Sequence, residues 1–226
     1  MPGILYAIPT PLGGKAADAL PGSALEIVRS LRHFAVENAK AARAFLKDMG
    51  MPVPLQELNV SEDLLSFLKV LESGKPVGLL SEAGCPAIAD PGAALVDAAH
   101  RAGIRVVPLI GPSSIVLALM ASGLEGQRFS FCGYLPRDAE ARKQRIKALE
   151  SRSKREDETQ IFIETPYRND AMLAALLEQC AADTRLCIAT DLTLESETVH
   201  TRTVREWRAA APAIGKRPTV FLLLSR

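Results

Sequence analysis

The stretch LLSEAGCPAIADPG, residues 79–92, decides how the chain is read. It leaves a short uncharged run, Val77 to Leu80, that reads as a buried strand. It closes on Asp90-Pro91, the N-cap and first-turn pair expected at the start of a helix that Gly103 ends. Between the two stand small residues, one proline (Pro86), Glu82 and Cys85. A strand passed to a helix through a tight loop is the repeating unit of a parallel sheet.

The unit recurs on both sides. Ile4 to Ile8 is a strand running into Pro9-Thr10-Pro11-Leu12-Gly13-Gly14, and Leu25, Val28 and Leu31 suit a short helix. His33 to Glu37 is a strand, with Asn38 capping a helix to Lys47. Ser61 is read as the cap of the next helix, with Leu64, Leu65, Leu68 and Leu71 as its apolar face. Arg105 to Leu109 is a strand and Ser113 to Ala121 a helix. Continuous apolar strands alternating with helices predict an α/β fold, its N-terminal sheet mostly parallel and covered by helices on both faces.

A boundary is placed at Gly123 to Gln127, so that residues 1–122 form an N-terminal α/β domain and 123–226 a C-terminal α/β domain. In the second, strands are expected at 129–134, 161–164, 186–189, 198–204 and 218–224, with helices at 140–149 and 170–180. The alternating character of 198–204 is that of an antiparallel strand, which makes this sheet mixed. The polar run 151–158, SRSKREDE, reads as a solvated helix end or loop.

Bulk composition narrows the function. Net charge is +1, from 27 basic and 26 acidic side chains, which excludes a general polyanion binder. The four cysteines form no C-x-x-C pair and the three histidines are scattered, so no metal site is expected. With an opening segment that carries no charged leader, the thiols read as free in a cytoplasmic protein. Val106 to Leu124 holds no charge, but Pro108 and Gly111-Pro112-Ser113-Ser114 break it. It reads as strand, turn and helix, with no membrane span.

Ligands of open parallel sheets bind outside the carboxyl ends of the strands. The loops expected there are Pro9 to Gly13, Glu37-Asn38, Ser81 to Pro86 and Gly111 to Ser114. They offer backbone N–H groups, helix starts and hydroxyls, which suit a ligand with ribose hydroxyls and a carboxylate. No G-x-G-x-x-G follows a strand and no G-x-x-x-x-G-K-[ST] occurs, which disfavours a nicotinamide dehydrogenase or a kinase. Cys85 has no activating base near it in sequence and reads as a small buried thiol beside Pro86, not a nucleophile.

Ile8-Pro9-Thr10-Pro11-Leu12-Gly13, the stretch 81–92, and Pro108 to Ser114 together resemble the tetrapyrrole (corrin/porphyrin) methylase family. Within it, the pattern is nearest the small-subunit ribosomal RNA ribose 2′-O-methyltransferase branch. Phe131 to Pro136 with Arg142, and Glu164-Thr165-Pro166-Tyr167-Arg168, are similar to further motifs of that branch. The resemblance implies a two-domain S-adenosylmethionine-dependent methyltransferase, a homodimer, with the cofactor in a cleft between the domains. Matching cofactor positions are Pro9, Thr10, Pro11, Leu12, Ser81, Glu82, Ala83, Gly84, Ile88, Ser113 and Ser114. From the second half they are Leu135, Thr165, Ala189, Thr190, Pro218 and Thr219.

Methyl transfer from a sulfonium needs alignment more than acid–base machinery, which agrees with the loop inventory. A base is needed for a hydroxyl acceptor, and Glu82 is the first candidate by its place in the loop, ahead of Glu37, Glu164 and Asp191. The chain departs from the RNA branch at Glu82 and Cys85, where that branch has Asp and Thr. It departs again at Asn38 to Lys40, and at Thr190 and Leu194, where the branch has Arg and Lys. The acceptor is therefore left between ribosomal RNA ribose and a tetrapyrrole-like compound. A basic track of Lys143, Arg145, Lys147, Arg152, Lys154 and Arg155 would favour RNA. A non-catalytic cofactor-binding protein on the same fold is the alternative.

Overall fold

The computed structural model describes residues 2–226. Strands β1 (Ile4–Ile8), β2 (His33–Val36), β3 (Asn59–Ser61), β4 (Val77–Leu80) and β5 (Arg105–Pro108) form one parallel sheet in the order β3-β2-β4-β1-β5. Successive residues of each strand point to opposite faces, and both faces are apolar. Ile8, Phe34, Val36 and Leu80 pack with helices α2 (Gly22–Ser30) and α3 (Ala39–Asp48), which follow a short α1 (Ala16–Ala19). Leu5, Ala35, Val77 and Leu79 pack with α4 (Phe67–Glu72) and α5 (Ala93–Arg101) on the other face.

This arrangement creates a switch point. The neighbours β1 and β4 end level, with Ile8 opposite Leu80. The chain leaves β1 toward α2 on one face and leaves β4 toward α5 on the other. Connections that part to opposite faces open a crevice at the carboxyl ends of the two strands.

Local capping follows the expectation at Asn38, whose side chain accepts from the Lys40 and Ala41 amides. It departs elsewhere. Ser61 ends strand β3, and its hydroxyl accepts from Asp63 N at 3.1 Å, so it caps no helix. A 3-10 turn, Leu64–Ser66, intervenes before α4, and Glu62 reaches back to the Ala39 amide at 2.8 Å. Asp90-Pro91 does not start α5 either. Its N-cap is Gly92, at φ +133°, without a side-chain cap. Adding a Cβ to Gly92 would bring it 2.9 Å from Leu79 Cδ2, so glycine lets the chain pass close over β4 before the helix begins.

The second half holds α6 (Ser114–Ser122), β6 (Phe129–Tyr134), α7 (Ala139–Glu156), β7 (Thr159–Ile163), α8 (Asn169–Gln179), β8 (Arg185–Thr190), β9 (Thr198–Thr203), α9 (Val204–Ala209) and β10 (Thr219–Leu224). Its sheet is mixed, in the order β6-β7-β10-β8-β9. The β6–β7 pair is parallel, and the pairs made by β10 and β9 are antiparallel. Phe162 and Phe221 stack at 5.8 Å between centroids within a core that includes Leu149, Leu176 and Trp207. Trp207 Nε1 donates to the Leu186 carbonyl at 2.8 Å, which satisfies its one polar group. The run 151–156 continues α7, and Asp157 closes it in a left-handed conformation.

The chain divides into two units, one up to Ser113 and one from Ser114 to Arg226. The division lies one helix upstream of the boundary read at 122/123, because α6 packs on β8, β9 and β10 of the second sheet. Among the described residues no helix is long and apolar enough to cross a membrane. The uncharged run from Val106 is instead the end of β5, a turn and α6.

Candidate functional site

In the first unit, the four loops singled out in the sequence meet at the switch point. Thr10 N donates to Gly84 O at 2.9 Å and Gly84 N to Thr10 O at 3.0 Å, forming an isolated bridge just beyond β1 and β4. Ser81 Oγ donates to Gly84 O at 2.9 Å, and Thr10 Oγ1 to Ser81 O at 3.3 Å. Thr10 and Ser81 are both buried. Their hydroxyls are spent on the loop's own carbonyls, so they shape the wall.

The loop after β5 closes the same corner. Cys85 Sγ donates to Pro112 O at 3.4 Å, and burial pushes the thiol pKa up. The thiol is therefore a partly covered donor, where the sequence reading had it buried. A Cβ on Gly111 would stand 2.4 Å from Pro9 Cβ, so the loops after β1 and β5 touch only because residue 111 has no side chain. Gly84 sits at φ +78°, and a Cβ there would fill the space bounded by Leu12 Cδ2 at 3.4 Å and Pro112 O at 3.8 Å. Pro9, Thr10, Leu12, Ser81 and Gly84 are thus brought together. Glu82, Ala83 and Ile88 lie on exposed parts of the same loop, and Pro11 and Ser113 are partly covered.

The loop after β2 contributes charge. Glu82 N donates to Glu37 Oε2 at 3.3 Å. Burial, and then the charges of Glu37 and Glu82, push the Asp90 carboxyl up to about 6. Three carboxylates from two loops and the segment before α5 therefore share one corner. The sequence reading gave Asp90 to a helix cap. Its place inside the 81–92 motif was the signal that it belongs with the loop.

In the second unit, the expected positions gather at one end of the sheet. Thr219 opens β10 and pairs with Thr190 at the end of β8, and Val220 pairs with Ile163 at the end of β7. Thr165 therefore lies beyond β7, Ala189 and Thr190 close β8, and Pro218 and Thr219 enter β10 at the same edge. Tyr134 pairs with Ile163, so the buried Leu135 follows β6 there too. Ser114 opens α6, among elements that pack on β8, β9 and β10.

This edge is held by buried polar groups. Glu164, whose side chain is 1% exposed, accepts from Thr165 N at 2.7 Å and pairs with Arg168. Asn169 is fully buried at the start of α8 and donates to the carbonyls of Gly215 and Arg217, at 3.1 and 2.7 Å. Asp191 and Thr193, just beyond β8, adopt positive φ of 53° and 73°. Asp191 accepts from Ser196 Oγ at 3.0 Å and lies 3.8 Å from Arg217. Sequence reasoning missed Asn169, because a single asparagine before a helix carries no pattern of its own.

The proposed basic track is largely neutralised. Lys143 pairs with Glu178, Arg152 with Glu158 and Arg155 with Glu156, at 2.9 to 3.0 Å, and Lys154 donates to the Arg226 carbonyl. Arg145 and Lys147 remain exposed on α7. Among the described residues no group of His, Cys, Asp and Glu could hold a metal ion.

Residues 5–207 match the family described as Tetrapyrrole (Corrin/Porphyrin) Methylases. The chain is 34% identical over 207 residues to "Ribosomal RNA small subunit methyltransferase I" of Pseudomonas aeruginosa, covering 90% of this chain and 71% of that protein. The protein of the same name from Xylella fastidiosa is 37% identical over 201 residues, 88% of this chain and 71% of its own length. Among solved structures, diphthine synthase superposes with a TM-score of 0.69 at 18% identity, over 98% of this chain and 89% of that one. The methyltransferase CobJ gives 0.64 at 18% identity, over 100% and 95%. The structural likeness bears on the fold; the family match and the sequence relatives bear on the chemistry. The chain belongs to the tetrapyrrole (corrin/porphyrin) methylases and is an S-adenosylmethionine-dependent methyltransferase.

Proposed function

We propose that the enzyme methylates small-subunit ribosomal RNA at a ribose hydroxyl, using S-adenosylmethionine as the methyl donor. The observation that carries the acceptor is the 34% identity to relatives named for that RNA, maintained over 90% of the chain. In the first unit the contacts assigned are Pro9 to Leu12, Ser81 to Gly84, Ile88 and Ser113. In the second they are Ser114, Leu135, Thr165, Ala189, Thr190, Pro218 and Thr219.

The residues fit such a group. The space beside Gly84 is one that a single Cβ would fill, which suits close backbone approach. At the second sheet end, Asn169 Oδ1 is a buried acceptor without a partner among the described residues, matching a ligand or water donor. When bound, the cofactor supplies an already activated methyl group. The chain's own part is alignment and exclusion of water. A ribose hydroxyl must also lose its proton, and we assign the proton acceptor to Glu82, with Asp90 beside it. A carboxyl whose pKa is pushed up to about 6 holds a proton more readily near neutrality than an ordinary one.

Two further features are proposed. All four cysteines are unpaired, which suits a reducing compartment and supports a cytoplasmic enzyme. Val116 and Met120, one turn apart on α6, are 49% and 74% exposed, which supports a homodimer.

Calorimetric titration with S-adenosylhomocysteine tests the cofactor; no binding at millimolar ligand would remove it. Labelled methyl transfer to small ribosomal subunits, to their naked RNA and to a porphyrinogen tests the acceptor. Transfer to RNA alone is expected. Transfer only to the macrocycle would reverse the assignment. Light scattering should return twice the chain mass.

A further inference from the structure

We infer that Asn169 is a positioning residue for cofactor binding: its buried carboxamide sets the entry of β10 and so fixes the Thr190–Thr219 corner. The inference rests on the cofactor reading above. The segment before β10, residues 210–218, is AAPAIGKRP, and only Ile214 in it is buried. Such a segment has little apolar surface to anchor it, so polar contacts must set its path.

Two adjacent side chains at the start of α8 do this from both polarities. Asn169 Nδ2 donates to Gly215 O and Arg217 O. Asp170 Oδ1 accepts from Ile214 N at 2.8 Å and Gly215 N at 3.3 Å. The clamp reaches the cofactor residues directly. Asn169 Nδ2 lies 3.4 Å from Thr219 Oγ1, and Thr219 Oγ1 donates to Arg217 O at 3.0 Å. With that hydrogen committed, the 3.4 Å contact between the Thr190 and Thr219 hydroxyls has Thr190 as its donor. The Asp191 amide then ties to the Pro218 carbonyl at 2.9 Å.

The orientation of the carboxamide is determined as well. Three oxygens face Nδ2, so Oδ1 faces away from the segment. Asn169→Asp keeps the shape but sets an oxygen against those three acceptors. That should displace the segment and the Thr219 hydroxyl while the hydrophobic core, which lacks residue 169, stays packed.

The test compares Asn169→Asp with Thr203→Ala, which removes the capping box of α9 away from this corner. Both should lower thermal stability. Only Asn169→Asp should weaken S-adenosylhomocysteine binding, by about tenfold or more, with KM for the methyl donor rising further than kcat falls. If Asn169→Asp does not fold, Asn169→Ser replaces it, because the smaller side chain leaves room for water. An Asn169 variant that loses stability but keeps wild-type affinity overturns the inference and leaves the cofactor reading intact. Wild-type protein that binds no S-adenosylhomocysteine removes both.

Discussion

Thr10 and Gly84 exchange both of their backbone hydrogen bonds, at 2.9 and 3.0 Å, two and four residues past the ends of two neighbouring parallel strands. The exchange is antiparallel although the strands are parallel, so both chains have turned at the crevice mouth. Gly84 accomplishes its part of the turn at φ +78°.

Replacing Gly84 tests whether this corner is a binding wall. A side chain at that φ costs about 1–2 kcal/mol in backbone strain. Gly84→Val should therefore remain folded, with urea denaturation showing a loss of that order. Calorimetry should show S-adenosylhomocysteine binding abolished. A folded variant with retained affinity would mean that the cofactor lies elsewhere.

Gly111→Ala should behave differently. Its φ is ordinary, but the new Cβ would meet Pro9 Cβ at 2.4 Å. A proline ring cannot swing away, so the loops after β1 and β5 must part, costing about 1–3 kcal/mol. Thermal denaturation should show a larger loss than for Gly126→Ala, where φ is also ordinary and a Cβ meets nothing within 4 Å.

Asp90 predicts a pH dependence. Its folded pKa, about 6, lies above the ordinary 3.8, so the folded state holds the proton more tightly than the unfolded one. Stability then falls as pH rises from about 4 to about 6 and stays lower above that. Asp90→Asn should raise the melting temperature at pH 8, and the gain should shrink as pH drops through that window. With the Asp90 carboxyl in the same corner as the proposed base, the acidic limb of the kcat profile should move in Asp90→Asn. Glu82→Gln should lower kcat by a larger factor than it weakens cofactor affinity.

The Glu164–Arg168 pair can be dissected by stability alone. Arg168→Met leaves a nearly inaccessible carboxylate without its cation and should cost about 3 kcal/mol. Glu164→Gln with Arg168→Met should recover part of the loss, because no buried charge is then left over. Equal destabilisation in the single and double variants, read from chemical denaturation, would show that the pair is not coupled.

Much of the fold was legible locally. Runs such as Ile4 to Ile8, Val77 to Leu80 and Pro218 to Leu224 are apolar on both faces, and that is enough to name buried strands. Asn38 was legible as a cap because its partners lie two and three residues away. The strand β3 was not, since Asn59-Val60-Ser61 acquires its extended form from pairing with β2. Asp90 was misread for a related reason. Asp-Pro before a helix has a local meaning, but Gly92 passing over Leu79 moved the helix start and left Asp90 facing two other carboxylates.

The division is therefore one of range. The sequence by itself determined most of the strands and helices, the small-residue loops and the family motifs, because hydrophobic period and turn chemistry act over a few residues. Only the tertiary structure decided that Thr10 meets Ser81 across 71 positions, that Glu37 meets Glu82 across 45, and that Asn169 holds the carbonyl of Gly215 across 46. The buried ones, Thr10 with Ser81 and Asn169 with Gly215, are selected by which polar groups burial would leave unsatisfied, and that is settled only when the sheets have formed.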